Sequence, residues 1–263
     1  MKTRIISALI MAIIVIPILL LGGTFYYIGI GIISFLAYKE ILDLKKSHQE
    51  IPLFMKLIGL LCLYFFVYTN VVDSSINKVF NYQNIIFLIL FLLIPTVFYE
   101  EEKYTTKDAF YLIGVILVLG ITFNLFIVLR NRNLFLIIYL AIISIVTDTF
   151  ALISGSLFGK TKLCPKISPN KTWEGSFGGL VCGTIAGVAV YSFFIDPFSV
   201  RLVFITAILS IVGQIGDLIM SKIKRENNIK DFSKLMPGHG GILDRFDSLM
   251  FVVMAYLVLV FYL

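Results

Sequence analysis

The chain has 263 residues, of which 59% are hydrophobic and only 14% charged, and its mean hydropathy is +0.97. A soluble domain carries about 25% charged residues, so this composition excludes a soluble globular enzyme, a disordered chain and a disulfide-stapled secreted module, and leaves an integral membrane protein. The net charge of +6 lies on no long basic face, so it points to membrane topology and away from nucleic acid.

A spanning helix needs about 20 mostly apolar residues. Nine such segments are predicted, at 5–21, 24–44, 53–72, 84–100, 108–129, 133–157, 175–195, 200–222 and 242–263. Only Gly22–Gly23 separates the first two. Lys2 and Arg4 ahead of an apolar run imitate a signal peptide. No small-residue cleavage site with a polar region follows, so the segment is expected to remain as the first helix. With nine spans, Lys78, Arg130, Arg132 and Arg201 fall on one face and the other 18 of the 22 Lys and Arg on the opposite one. Merging the first two spans would weaken that asymmetry. Positive loops stay in the cytoplasm, so the basic face is expected to be cytoplasmic. The expected fold is all-α and polytopic, with about nine transmembrane helices and a polar cavity on the cytoplasmic side.

Two regions are expected. Residues 1–132 form apolar helices with short loops and little chemistry. Residues 133–263 carry nearly all the unusual polar residues, with two long cytoplasmic loops at 158–174 and 223–241. Cys62, Cys164 and Cys182 have neither pairing nor metal spacing and are read as reduced.

Asp148 lies inside the sixth predicted span. A carboxylate there is costly, so it faces a cavity or a partner. Asp217 lies in the eighth. Gly213, Asp217, Ser221 and Arg225 step by four and share one helical face. Asp244 and Asp247 are three apart at the start of the ninth span. Helix N-termini favour acids in any case, so capping stays open for either one. Just before them stands Pro237-Gly-His239-Gly240-Gly241, whose glycines permit close backbone approach to a ligand. His239 fits a phosphate contact or a structural hydrogen bond.

The other loop holds Lys160, Lys162, Lys166 and Lys171 with Ser168 and Thr172 just before a helix, an arrangement suited to phosphate or to a simple positive-inside loop. Gly175, Gly179, Gly183 and Gly187 then recur every four residues, a spacing for close helix packing. Gly155 to Thr161 imitates a P-loop, but only three residues separate its glycines and a membrane helix precedes it, so it is rejected. Three or four acids and about ten basic residues therefore converge at one membrane face. Such acids suit a hard divalent ion such as Mg²⁺, which takes one or two carboxylates plus substrate phosphates. No acyl-transfer triad is present. The set fits phosphoryl or nucleotidyl transfer, where positioning and charge neutralisation dominate.

The run from Ser221 through Lys224-Arg225, Lys230-Asp231, Pro237-Gly-His239-Gly240-Gly241 to Asp244-Arg245-Phe-Asp247 resembles the signature of the phosphatidate cytidylyltransferase (CDP-diacylglycerol synthase) family. Ser168-Pro-Asn170-Lys171-Thr172-Trp173-Glu174-Gly175 and Asp148 match the same family, while Leu152, Ser156, Asn170 and Met236 depart from its usual residues. The resemblance is strong over 133–263 and weak before it. It implies the reaction CTP plus phosphatidic acid to CDP-diacylglycerol plus pyrophosphate. It also implies a second cation such as K⁺ beside Mg²⁺, and a homodimer; the brevity of the chain favours the plasma membrane, and the Lys and Arg count puts the site on the cytoplasmic side. Asp217, Asp244, Asp148 and Asp247 are then the expected metal ligands. Lys171, Lys224, Arg225, Lys230 and Arg245 would hold phosphates. Ser168, Thr172, Ser221, His239, Gly240 and Gly241 would contact substrate, and Glu174 would orient a lysine or a metal-bound water. An archaeol-type cytidylyltransferase, a polyprenol kinase and a transporter are the alternatives.

Overall fold

The structure is a computed structural model that describes residues 2–45, 50–69, 82–99, 103–236, 238 and 240–260. Among them are nine α-helices: α1 (Lys2–Leu21), α2 (Gly23–Lys45), α3 (Leu53–Tyr68), α4 (Tyr82–Leu93), α5 (Thr106–Arg132), α6 (Leu134–Phe158), α7 (Trp173–Phe194), α8 (Val200–Glu226) and α9 (Leu243–Leu259). Each falls within a few residues of a predicted apolar segment. Five helices, Gly23–Leu44, Thr106–Arg132, Leu134–Phe158, Trp173–Phe194 and Val200–Glu226, are long and apolar enough to cross a membrane. The protein is therefore an all-α, polytopic membrane protein.

Local chemistry sets the helix ends. Gly22 and Gly23 take φ of 67° and 54°, a left-handed conformation that ends α1 and begins α2. Thr105 and Asp108 start α5 with reciprocal side-chain-to-backbone bonds of 2.8 and 3.2 Å, a capping box with aspartate in place of glutamate. Pro95 has no N–H, and there α4 tightens into one 3₁₀ turn, Ile94–Val97. Asn133, Thr172 and Ser199 cap α6, α7 and α8 through their side-chain oxygens.

One departure from expectation lies in the segment 158–174, read as a long polar loop. Within it β1 (Lys162–Cys164) and β2 (Ser168–Thr172) form a two-stranded antiparallel ribbon. The sequence sets its turn: Pro165 follows Cys164, and the Ile167 N–H closes back on the Cys164 carbonyl at 3.1 Å. The ribbon is too short for the alternation that marks strands in a sequence.

The chain divides into two compact units, one of residues 1–131 with 235–242 and the other of 132–234 with 243–263. In the N-terminal unit, side chains tie helices to one another through backbone carbonyls. Tyr26 Oη donates to the Phe126 carbonyl at 3.1 Å, Tyr111 Oη to that of Ile41 at 2.9 Å, and Asn124 Nδ2 to those of Val67 and Thr69 at 3.0 and 2.6 Å.

In the C-terminal unit the glycine ladder packs α7 against α6. A Cβ at Gly175 would lie 2.6 Å from the Ala151 carbonyl oxygen, one at Gly187 would lie 2.6 Å from Ile143 Cγ1, and one at Gly183 would collide with Thr147 Oγ1. Gly216 likewise lets α8 meet Phe251 of α9. Phe204, Ile208, Ile211, Ile215 and Ile219 form an exposed apolar stripe along α8, the helical spacing of a lipid-facing surface.

Candidate active site

The C-terminal unit holds a cleft of about 540 Å³ bounded by α6, α7, α8 and the ribbon. That volume lies within the range of small-ligand sites, about 300–1,000 Å³. Asp148 enters it from α6, Asp217 from α8, and Ser168, Asn170, Lys171 and Thr172 from β2. Lys171 and Asp217 form an ion pair, each side chain about a quarter exposed. Ser221, one turn further along α8, donates to Asp217 Oδ1 at 3.3 Å. Leu152, Ser156 and Asn170, three of the positions that depart from the family pattern, line the same cleft.

Hydroxyls pair with one another inside the helix bundle, and one of these pairs reaches an acid. Ser248 Oγ of α9 donates to Asp148 Oδ2 at 2.8 Å and lies 2.7 Å from Ser144 Oγ. Thr147 and Ser210 pair at 2.8 Å, as do Tyr139 and Thr206. Asp247, beside Ser248, interacts electrostatically with both Asp217 and Asp148. These three carboxylates therefore share one electrostatic neighbourhood.

Asp244 has different company. It is 7% exposed, accepts from Lys224 Nζ at 2.7 Å and from the Phe232 N–H at 2.8 Å. Lys224 also sits 5.3 Å from the centre of the Phe232 ring, within cation–π range. This buried pair ties the segment after α8 to the first turn of α9. Among the described residues no group of three or more His, Cys, Asp or Glu side chains converges tightly enough to hold a metal ion by itself. The expected set Asp148, Asp217, Asp244 and Asp247 is thus not gathered as one protein-only cage. The carboxylates of Asp217 and Asp148 and the hydroxyl of Ser221 are hard oxygen donors, the kind Mg²⁺ takes in ones and twos alongside substrate phosphates.

The remaining predicted residues divide by role in the structure. Glu174 accepts from the Thr161 hydroxyl at 2.8 Å and its N–H at 3.2 Å, so it anchors the start of the ribbon to α7. Arg225 donates to the Ile229 carbonyl at 2.9 Å and to that of Ile167 at 3.4 Å, joining the end of α8 to the ribbon's turn. Thr172 caps α7 and also lines the cleft. Lys230 and Arg245 are exposed. Gly240 and Gly241 belong to the loop grouped with the N-terminal unit. His239 lies outside the described residues.

Sequence reasoning passed over Gln214, Ser176 and Ser248. Gln214 and Ser176 line the cleft and bond each other, Ser176 Oγ donating to Gln214 Oε1 at 2.5 Å. A signal was available for Gln214: an amide inside a span needs a partner, and three residues before Asp217 puts it on nearly the same helical face.

A model of the cytidylyltransferase family matches residues 2–263. The phosphatidate cytidylyltransferase of Staphylococcus haemolyticus (strain JCSC1435) is 37% identical over 258 residues, 96% of each chain. Those of Staphylococcus saprophyticus subsp. saprophyticus and Staphylococcus aureus (strain COL) are each 37% identical over 257 residues, again 96% of each chain.

Proposed function

The chain belongs to the cytidylyltransferase family, and from that premise we propose that it transfers the cytidylyl group of CTP to phosphatidic acid, giving CDP-diacylglycerol and pyrophosphate. The observation that carries this reading is the cleft in which the Lys171–Asp217 pair stands beside Asp148. It offers cationic and hard anionic groups together at the end of an apolar bundle, and the near full-length relatives bear the name of this activity.

The phosphate monoester of phosphatidic acid is already anionic near neutral pH, with a second pKa of about 6. It therefore attacks the α-phosphorus of CTP without a strong general base, and the bond to the pyrophosphate leaving group breaks in line. Lys171 orients and neutralises phosphate oxygens. Ser168 and the backbone leading into α7 add hydrogen bonds. Glu174 and Arg225 hold the ribbon that carries Lys171. Asp217 and Asp148, with Ser221, would hold Mg²⁺, with K⁺ as a second cation; Mg²⁺ supplies charge neutralisation at the phosphates. Asp244 and Asp247 complete the acidic set at the start of α9. The reading includes nine spans, a cytoplasm-facing cleft in the plasma membrane and a homodimer.

The test is CTP-dependent pyrophosphate release by the purified protein in detergent with phosphatidic acid and Mg²⁺, against an EDTA control. Release that needs both the lipid and the metal is expected. Release without phosphatidic acid, or none from folded protein, rejects the assignment.

A further inference from the structure

Gln214 of α8 lines the cleft, yet it is only 8% exposed. Both ends of its amide meet one residue of α7. Oε1 accepts from Ser176 Oγ at 2.5 Å, and Nε2 donates to the Ser176 carbonyl at 3.2 Å. The second bond assigns the orientation of the amide: a carbonyl oxygen can only accept, so the atom beside it is the nitrogen. The Ser176 hydroxyl then gives its proton to Oε1, and the pair closes as a two-point clasp between α7 and α8. Both residues belong to the C-terminal unit, as does the whole lining of the cleft.

An amide nitrogen carries two hydrogens, and the clasp uses one. The other has no partner among the described residues. The acids of the cleft are engaged elsewhere, Asp217 with Lys171 and Ser221, and Asp148 with Ser248. An N–H kept from water without an acceptor is costly, and this one is held at the wall of the cleft. We propose that Gln214 gives its second N–H to a phosphate oxygen of bound substrate, and that Ser176 is the positioning residue that fixes its direction. The proposal rests on the cytidylyltransfer reading above. Both substrates of that reaction bring phosphate oxygens, the lipid a monoester and the nucleotide a triphosphate, and charged oxygens make the stronger hydrogen bonds. A neutral donor suits this place. A lysine so deeply buried needs a carboxylate of its own, as Lys224 takes Asp244. An amide needs only its hydrogen bonds. Lys171 therefore supplies charge to the phosphate, and Gln214 supplies direction.

The test follows pyrophosphate release and thermal unfolding of full-length variants in detergent, with rates taken per folded molecule. Gln214→Met keeps the length of the side chain and removes its N–H groups. Its kcat/KM should fall at least about tenfold, the scale of a hydrogen bond to a charged acceptor. A raised KM for phosphatidic acid alone assigns the contact to the lipid phosphate, and a raised KM for CTP alone assigns it to the triphosphate. A lower kcat with both KM values kept assigns it to an oxygen held only in the transition state. Gln214→Glu keeps the acceptor for Ser176 but turns the donor into a charged acceptor, so it should lose more than Gln214→Met. Ser176→Ala releases one end of the amide and should cost about threefold; added to Gln214→Met it should cost nothing more, because the group it positions is gone. Should Gln214→Met not fold, Gln214→Glu and Ser176→Ala carry the same test. Constants within about twofold of wild type in Gln214→Met overturn the proposal, and a lowered unfolding midpoint beside them reduces the clasp to a structural tie. An undiminished Ser176→Ala effect in the double variant overturns the positioning role. A wild type that releases no pyrophosphate rejects the activity and the phosphate contact together, whereas an active wild type with an unaltered Gln214→Met rejects the contact alone.

Discussion

The two units bury polar groups in opposite ways. In the N-terminal unit, tyrosines and Asn124 mostly donate to backbone carbonyls on neighbouring helices. These are neutral bonds that fix helix positions. In the C-terminal unit, hydroxyls bond hydroxyls, Ser248 bonds Asp148, and lysines meet Asp217 and Asp244. Such side-chain networks can exchange partners when charge arrives. The difference teaches that membrane burial by itself does not mark function. What marks it is ionisable groups whose partners are other side chains.

The sharpest way to break this contrast is Asp217→Asn. Asparagine keeps the volume and removes the charge that faces Lys171, so turnover should fall at least about a hundredfold, the scale of a lost electrostatic stabiliser. Thermal stability in detergent should hold, because both members of the pair are partly exposed. Near-normal pyrophosphate release would remove Asp217 from the chemistry.

Lys224→Met probes the other pair and should act on folding first. It leaves Asp244 buried without its counter-charge, costing about 3–5 kcal/mol. The unfolding midpoint in detergent should drop by about 10 °C. Replacing Asp244 by Leu in the same chain should recover much of that loss. An unchanged midpoint in the single variant would mean that the pair is open to solvent.

Smaller effects separate the glycines. Gly183→Ala pushes a methyl group into Thr147 between α6 and α7 and should destabilise by about 1–3 kcal/mol, as overpacking does. Gly114→Ala in α5 meets nothing within 4 Å and should stabilise by about 0.5–1 kcal/mol through helix propensity. Equal shifts in the two would erase the distinction between a packing glycine and a spare one. Melting curves of both variants in one detergent decide it.

Much of this was legible in the residues before any coordinates. Apolar runs of the right length located the helices because the bilayer leaves a chain few other options. The four-residue glycine spacing announced close packing along one face of α7 for a similar reason, since only one helical face can present it, but not that the partner is α6. Asp148 and Asp217 stood out because charge inside a span is conspicuous. What stayed hidden depends on partners distant in sequence. Nothing in Lys224 or Asp244 alone says that they are buried together, and nothing in Glu40 foretells a bond to Ile242. Ser248 and Ser176 are ordinary small polar residues until their neighbours are known. The β1–β2 ribbon escaped because a few polar residues carry no periodicity.

The contact between Ser144, Ser248 and Asp148 has a consequence for proton order. A hydroxyl owns a single proton. While Asp148 is ionised, Ser248 commits its proton to Oδ2, and the 2.7 Å bond between the two serines must then take its proton from Ser144. If Asp148 gains a proton and donates it to Ser248, that polarity reverses, and Ser248 is free to donate to Ser144 instead. The charge state of one carboxylate at the cleft is therefore written into the orientation of a hydroxyl buried a helical turn away, with no heavy atom obliged to move.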